Sequence, residues 1–192
     1  MCKMNSIYDL PVSCMIAEKE YPIRNRGDYR VVLDTISALN DPELTEQQKI
    51  YATLYIFYGT IPEDIESAIK EMFLFINCGR VEKKQLQSYK IMDWEQDFKI
   101  LTAPINRVLG TEIRNLSYLH WWTFIAAYAE IGDCTFANVV TIREKLRKGI
   151  KLERYEREFY QKNRDMIDLQ SNLTREENAW IDEILGGENH GI

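Results

Sequence analysis

Apolar positions along this chain change their period near Gly27, and the change separates a short strand-forming start from a long helical remainder. In "LPVSCMIAEKEYPI", Val12, Cys14 and Ile16 occupy one side of an alternating pattern, and Tyr21 and Ile23 return beyond Ala17-Glu18. Period two on both sides of a short break predicts a β-hairpin. An isolated hairpin is marginal in water, so this one must lie on something larger.

From Asp28 on, the spacing becomes three and four. "DYRVVLDTISALN" offers Asp28 as an N-cap and Val31, Val32, Ile36 and Leu39 as a helical face that stops at Asn40-Asp41-Pro42. "TEQQKIYATLYIFYG" opens with Thr45 and Gln48 at capping-box spacing and closes at Gly59. A third helix is predicted over "IPEDIESAIKEMFLFINCG", with Pro62, Glu63 and Asp64 in its first turn and Gly79 just past its end. The charged, weakly patterned "RVEKKQLQSYKI" reads as an exposed linker. "DWEQDFKILTAPINRVLG" places Asp93 and Gln96 at capping positions and is expected to bury Trp94, Phe98, Leu101 and Ile105, with a kink or break at Pro104.

The stretch "HWWTFIAAYAEIGDCTF" carries two adjacent tryptophans and almost no charge. Ser117 is expected to cap a helix running to about Glu130, apolar on nearly every side and therefore central. The next helix starts at Thr135 and turns Phe136, Val139, Val140 and Ile142 inward. After Gly149, "KLERYEREFYQKNRDMIDL" predicts one helix with a thin apolar line of Leu152, Tyr155, Phe159 and Met166 between charged pairs such as Glu153/Arg157 and Glu158/Lys162. So narrow a stripe fits a single partner helix. "TREENAWIDEILGG" begins with a capping box at Thr174 and Glu177 and gathers Trp180, Ile181, Ile184 and Leu185 on one side.

These elements predict a mainly α protein, a multi-helix bundle with a short N-terminal β-hairpin and a C-terminal helical arm. The expected division is a hairpin plus helical core over 1–150 and a charged arm with an amphipathic tail over 151–192. Trp94, Trp121, Trp122, Phe124 and Phe136 are the predicted structural core, and Leu152, Tyr155, Phe159, Trp180 and Ile184 the predicted partner-binding residues.

Composition adds limits. At 192 residues, 45% apolar and 28% charged, the chain can bury a substantial core. No apolar run approaches the roughly 20 residues of a membrane span, and the first residues lack a signal-peptide block, so an intracellular protein is expected. Cys2, Cys14, Cys78 and Cys134 lie far apart without a C-x-x-C pair, and reduced thiols are the default. The net charge of −6 is uneven: Lys/Arg against Asp/Glu is 14 to 19 over 1–142, 9 to 5 over 143–165 and 1 to 6 over 166–192.

Candidates for chemistry are sparse. His120 stands alone before the tryptophans and reads as a packed or hydrogen-bonded residue rather than a base. Asp93, Glu95 and Asp97 are two apart, which on a helix sends them to different sides, so they read as capping and solvated charges instead of a metal cage. Glu130 and Asp133 fit a helix end and a turn. Cys134 stands near a helix start, where a thiol can be activated, yet no base accompanies it. With no phosphate loop, nucleophile elbow or zinc motif, the expectation is a protein that is not an enzyme and takes no metal or cofactor. The basic stretch 143–164 could neutralise phosphates, but interleaved acids favour a solvated, internally paired helix or one docked on an acidic neighbour.

"IYDLPVSCMI…KEYPIRNRGDYRVVLD", "DWEQDFKILTAPINRVLG" and above all "LHWWTFIAAYAEIGDCTFANVVTIR" resemble the family often called bacteriophage protein Gp fifteen, over about Ile7 to Leu169. Its members come from tailed phages and prophages of low-GC Gram-positive bacteria, encoded just ahead of the tape-measure gene. The resemblance implies a tail-assembly chaperone of a long non-contractile tail. Such a protein would coat the tape-measure protein, recruit major tail protein, self-associate, work in the cytoplasm of the infected or lysogenic host and stay out of the virion. It carries no catalytic residues to transfer. The alternatives are a nucleic-acid-binding phage accessory protein using 143–164 and a minor structural tail component.

Overall fold

Alternation at the start of the chain becomes two antiparallel strands, β1 (Ser13–Ile16) and β2 (Lys19–Pro22), with Ile16 opposite Lys19. Their two-residue connection, Ala17-Glu18, has positive φ at both positions (46° and 65°), the conformation whose twist matches a tight hairpin. The computed structural model describes residues 8–80 and 90–169, which fall into two compact units. The first unit takes its described residues from 8–80 and 105–130, the second from 90–104 and 131–169. This division differs from the one expected at residue 150.

In the first unit the hairpin leads through a turn at Arg24–Gly27 into α1 (Tyr29–Asn40). Asp28 caps α1, its Oδ1 accepting the Arg30 N–H at 3.0 Å. Thr45 and Gln48 form the expected capping box of α2 (Glu46–Tyr58), which ends at Gly59 with φ 76°. Helix α3 (Ile65–Ile76) is capped by Asp64, accepting from Ser67 N–H, so it begins later than the Pro62 start predicted from sequence. Its end is closed by Cys78 and Gly79, both at positive φ. Leu54, Phe57, Ala68, Met72, Phe75, Trp121 and Phe124 are buried here, with Phe57 on Phe75 and Tyr29 stacked on Phe124.

The helix α5 (Trp121–Ala129) corrects two expectations. It starts after His120 rather than at Ser117, because the residues before it are held extended: Tyr29 N–H donates to Leu119 O, Leu119 N–H to Asp28 Oδ2, and Asp28 bridges to His120. Nor is it buried all round; Trp121, Phe124 and Ala127 are buried while Ala126 and Ala129 face solvent.

In the second unit, residues 94–104 of α4 (Trp94–Leu109) join α6 (Thr135–Arg147), α7 (Arg154–Lys162) and α8 (Arg164–Ile167). Helix α4 runs unbroken through Pro104, so the expected break does not occur. Its cap is Asp93, which accepts from Glu95 and Gln96 N–H, but the side chain reaching back to Asp93 N–H is Asp97, not Gln96. The single helix expected over 151–169 is two, interrupted at Asn163. That residue's amide donates to Phe159 O, and its carbonyl accepts from Met166 and Ile167 N–H. Val139, Ile142, Leu146, Leu152, Tyr160 and Ile167 form the core of this unit, with Ile100, Phe159 and Met166 packed on it.

Candidate interaction surfaces

The two tryptophans that stand out in the sequence have one shared structural task. Neighbouring side chains on a helix diverge by about 100°, as do successive carbonyls of a helix. The Trp121 indole N–H donates to Ile76 O at 2.8 Å and the Trp122 indole N–H to Phe75 O at 2.9 Å. These are carbonyls of the last turn of α3, which lack full intrahelical partners, so the pair closes that helix end from the side. Trp121 and Phe124 are buried, as is Phe136 of α6, whereas Trp122 and Trp94 are half-buried.

His120 is buried beside them and its tautomer follows from its neighbours. Nδ1 accepts the Trp122 N–H at 3.0 Å, so the proton sits on Nε2 and is donated to Pro11 O at 2.9 Å. Burial lowers its pKa against smaller raising effects of the Pro11 carbonyl and Asp28, which favours the neutral ring. The ring caps α5 and ties the start of the hairpin to it, and neither nitrogen is left for general-base work.

Arg143 and Asp97 make the strongest electrostatic feature of the second unit. Arg143 NH1 and NH2 donate to the two Asp97 carboxylate oxygens at 2.6 and 2.8 Å, with the side chains only 5% and 1% exposed. The remaining guanidinium donors go to backbone: Nε to Ile167 O at 2.5 Å, NH1 to Ile91 O at 3.3 Å and NH2 to Met166 O at 2.9 Å. Gln96 adds a bond to Asp168 O and Tyr160 one to the Asp168 carboxylate. The fork thus clamps three chain segments at once. Arg143 and Asp97, read from sequence as solvated, are both structural.

Other members of the basic stretch are paired as well. Lys145 meets the buried Glu156 at 2.5 Å, Lys148 meets Glu144, and Arg154 meets Glu158 one turn on. Lys145 and backbone bonding hold the Glu156 carboxyl below its usual range despite burial, which acts in the opposite sense as the largest single influence. Cys134, the other suspected reactive group, caps α6 through its sulfur, which accepts the Ala137 N–H at 3.5 Å. Among the described residues no three His, Cys, Asp or Glu side chains gather as a metal-binding group, and no helix is long and apolar enough to cross a membrane.

What remains for a partner is surface. Helix α2 buries Thr53, Leu54, Phe57 and Tyr58 on one side and leaves Tyr51 and Tyr55, one turn apart, 49% and 56% exposed on the other. Gln47 and Gln48 continue that exposed side, and the only charge between Gln47 and Tyr58 is Lys49, paired with Glu46 at 3.1 Å. The result is an uncharged, tyrosine-bearing helix face. Sequence reasoning missed it because α2 is apolar on two sides, and periodicity could not say which side is covered. Of the predicted binding residues, Tyr155 is 70% exposed, Phe159 is half-buried against the core, and Leu152 is only 3% exposed and inside it. Trp180 and Ile184 lie outside the described residues.

A family model described as Bacteriophage Gp15 protein matches residues 7–169, across both compact units. The chain belongs to this bacteriophage family. No curated protein and no solved structure matches the chain. The Gp15 match covers the Trp121-Trp122 pair, the Arg143–Asp97 clamp and the tyrosine face of α2, and stops at Leu169, before the acidic segment that carries Trp180 and Ile184.

Proposed function

We propose that this Gp15-family protein is a tail-assembly chaperone. It binds the tape-measure protein, keeps that long helical chain soluble, brings major tail protein to it in the host cytoplasm, and does not remain in the virion. The task is binding, not catalysis, and it needs no cofactor. The observation that carries the reading is the exposed tyrosine face of α2 on a chain of this phage family.

A tape measure presents amphipathic helical turns in succession, and a chaperone must cover them without choosing one sequence. Tyrosines suit that demand, offering large, rigid contact area at a small entropy cost together with a hydroxyl that adapts to polar neighbours. A face without charge also tolerates varied partner charge, whereas buried unpaired charges would be costly. Tyr155 supplies a comparable exposed ring on α7 in the second unit.

The test is co-expression of tagged chain with the tape-measure protein, comparing wild type with Tyr51→Glu/Tyr55→Glu. Both side chains are solvent-facing, so the variant should keep its melting temperature. It should also retain less than about a tenth of the tape measure in the soluble complex, as loss of two anchoring aromatics implies. Equal capture by the variant would remove α2 as the binding face.

A further inference from the structure

The uncharged face of α2 ends in acid on both sides. From residue 41 to residue 70 the charges are Asp41, Glu43, Glu46, Glu63, Asp64 and Glu66 against Lys49 and Lys70. None of the acids falls between Gln47 and Tyr58, so one group precedes or opens α2 and the other follows its close at Gly59. With 13 residues the helix spans about 20 Å between the two groups.

This acidic surplus is not neutralised inside the fold. Lys49 pairs with Glu46 at 3.1 Å and Lys70 with Glu66 at 2.6 Å, which accounts for both cations. Asp41 and Asp64 hold turns, accepting the N–H groups of Glu43 and Ser67. Glu43 and Glu63 are exposed and have no side-chain partner among the described residues. Ile61, 44% exposed between Gly59 and Glu63, carries apolar surface on towards the second acidic group.

We infer that the tyrosine face of α2 selects amphipathic helices that carry Lys or Arg near both ends of their apolar stripe. This selectivity rests on the chaperone reading and names which turns of the tape-measure protein the face covers. A helix laid along α2 meets Tyr51 and Tyr55 at its centre and carboxylates at its ends, so basic ends are attracted and acidic ends repelled. Nucleic acid is disfavoured by the same carboxylates, which oppose its phosphates. A second copy of the chain fits less well. Its own α2 face would bring like charges together, and Lys145, Lys148 and Arg154 of its basic stretch are already paired with Glu156, Glu144 and Glu158.

The experiment measures binding of the full chain to two synthetic helical peptides of about 14 residues that share one leucine stripe and carry either lysine or glutamate at both ends. The lysine-ended peptide should bind about fivefold tighter or more at low salt, with the advantage shrinking as added salt screens the charges. Glu43→Lys/Glu63→Lys should abolish the preference without moving the melting temperature, both side chains being exposed. Glu18→Lys/Glu130→Lys, an equal change of net charge at exposed positions outside α2, should leave the preference in place. Tyr51→Ala/Tyr55→Ala should weaken binding of both peptides. Binding of neither peptide, equal binding of both, binding indifferent to the two tyrosines, or a preference that survives Glu43→Lys/Glu63→Lys or is lost equally in Glu18→Lys/Glu130→Lys would overturn the inference. Capture of the tape-measure protein alongside such a result would leave the chaperone role standing, whereas the expected preference without that capture would fault the role and not the selectivity.

Discussion

Replacing Arg143 by Met should be the most damaging single change in the second unit. The substitution keeps an unbranched side chain of comparable length but removes every donor. Asp97, 1% exposed, then loses both fork bonds and keeps only the Asp93 N–H at 2.9 Å. Removing one member of a buried ion pair costs about 3–5 kcal/mol, chiefly because the surviving charge is left uncompensated. The carbonyls of Ile91, Met166 and Ile167 lose a donor too, at about 1–3 kcal/mol for each that water cannot reach. These costs overlap, and roughly 3–5 kcal/mol is the expected total, equivalent to about 6–20 °C in melting temperature for a chain of this size. Urea unfolding of Arg143→Met, Asp97→Leu and the double variant measures it, with hydrogen exchange at 166–168 locating the loss. The double variant removes both charges and should recover about 1–3 kcal/mol relative to Arg143→Met. Arg143→Lys keeps the charge without the fork and should fall between. An Arg143→Met protein within about 1 kcal/mol of wild type, or a double variant less stable than it, would refute the assignment.

Two further outcomes follow from the first unit. A Cβ on Gly27 would lie 2.6 Å from Phe75 Cζ at φ 76°, whereas one on Gly59, at the same φ, meets nothing within 4 Å. Gly27→Ala should therefore cost about 2–4 kcal/mol by denaturant unfolding and Gly59→Ala only about 1–2, and equal losses would count against the tight packing at Phe75. His120 has a folded pKa below its unfolded value of about 6.5, so the unfolded chain takes up the proton first. Its contribution to stability is complete above about pH 6.5 and declines as the pH falls below it. His120→Asn, which can still cap α5, should flatten that decline between about pH 6.5 and 5.5 in urea midpoints, and an unchanged pH profile would show that His120 is not its source.

Local signals were the ones legible in the sequence. Asp28, the Thr45–Gln48 box and Gly59 act within a turn of their own position, so residue type and spacing were enough to place α1 and α2. Ser117 is equally good capping chemistry, yet His120 takes the role because Asp28, far away in the chain, holds Leu119 extended. The Arg143–Asp97 pair was hidden for a similar reason. On an amphipathic pattern both count as polar and exposed, and only the fold supplies a partner 46 residues away that makes burial affordable. Leu152 was misplaced because it was counted on a helical stripe, while it precedes α7 and inserts into the core. The tyrosine face of α2 could be found only once its opposite side was seen to be covered.

The proposed chaperone role rests on binding of the tape-measure protein. The most direct measurement is the mass of the soluble complex formed when tagged chain and tape-measure protein are co-expressed. A soluble, stoichiometric assembly with many copies of this chain on each tape measure is expected. A tape measure that remains insoluble and unbound in the presence of folded chain would contradict it.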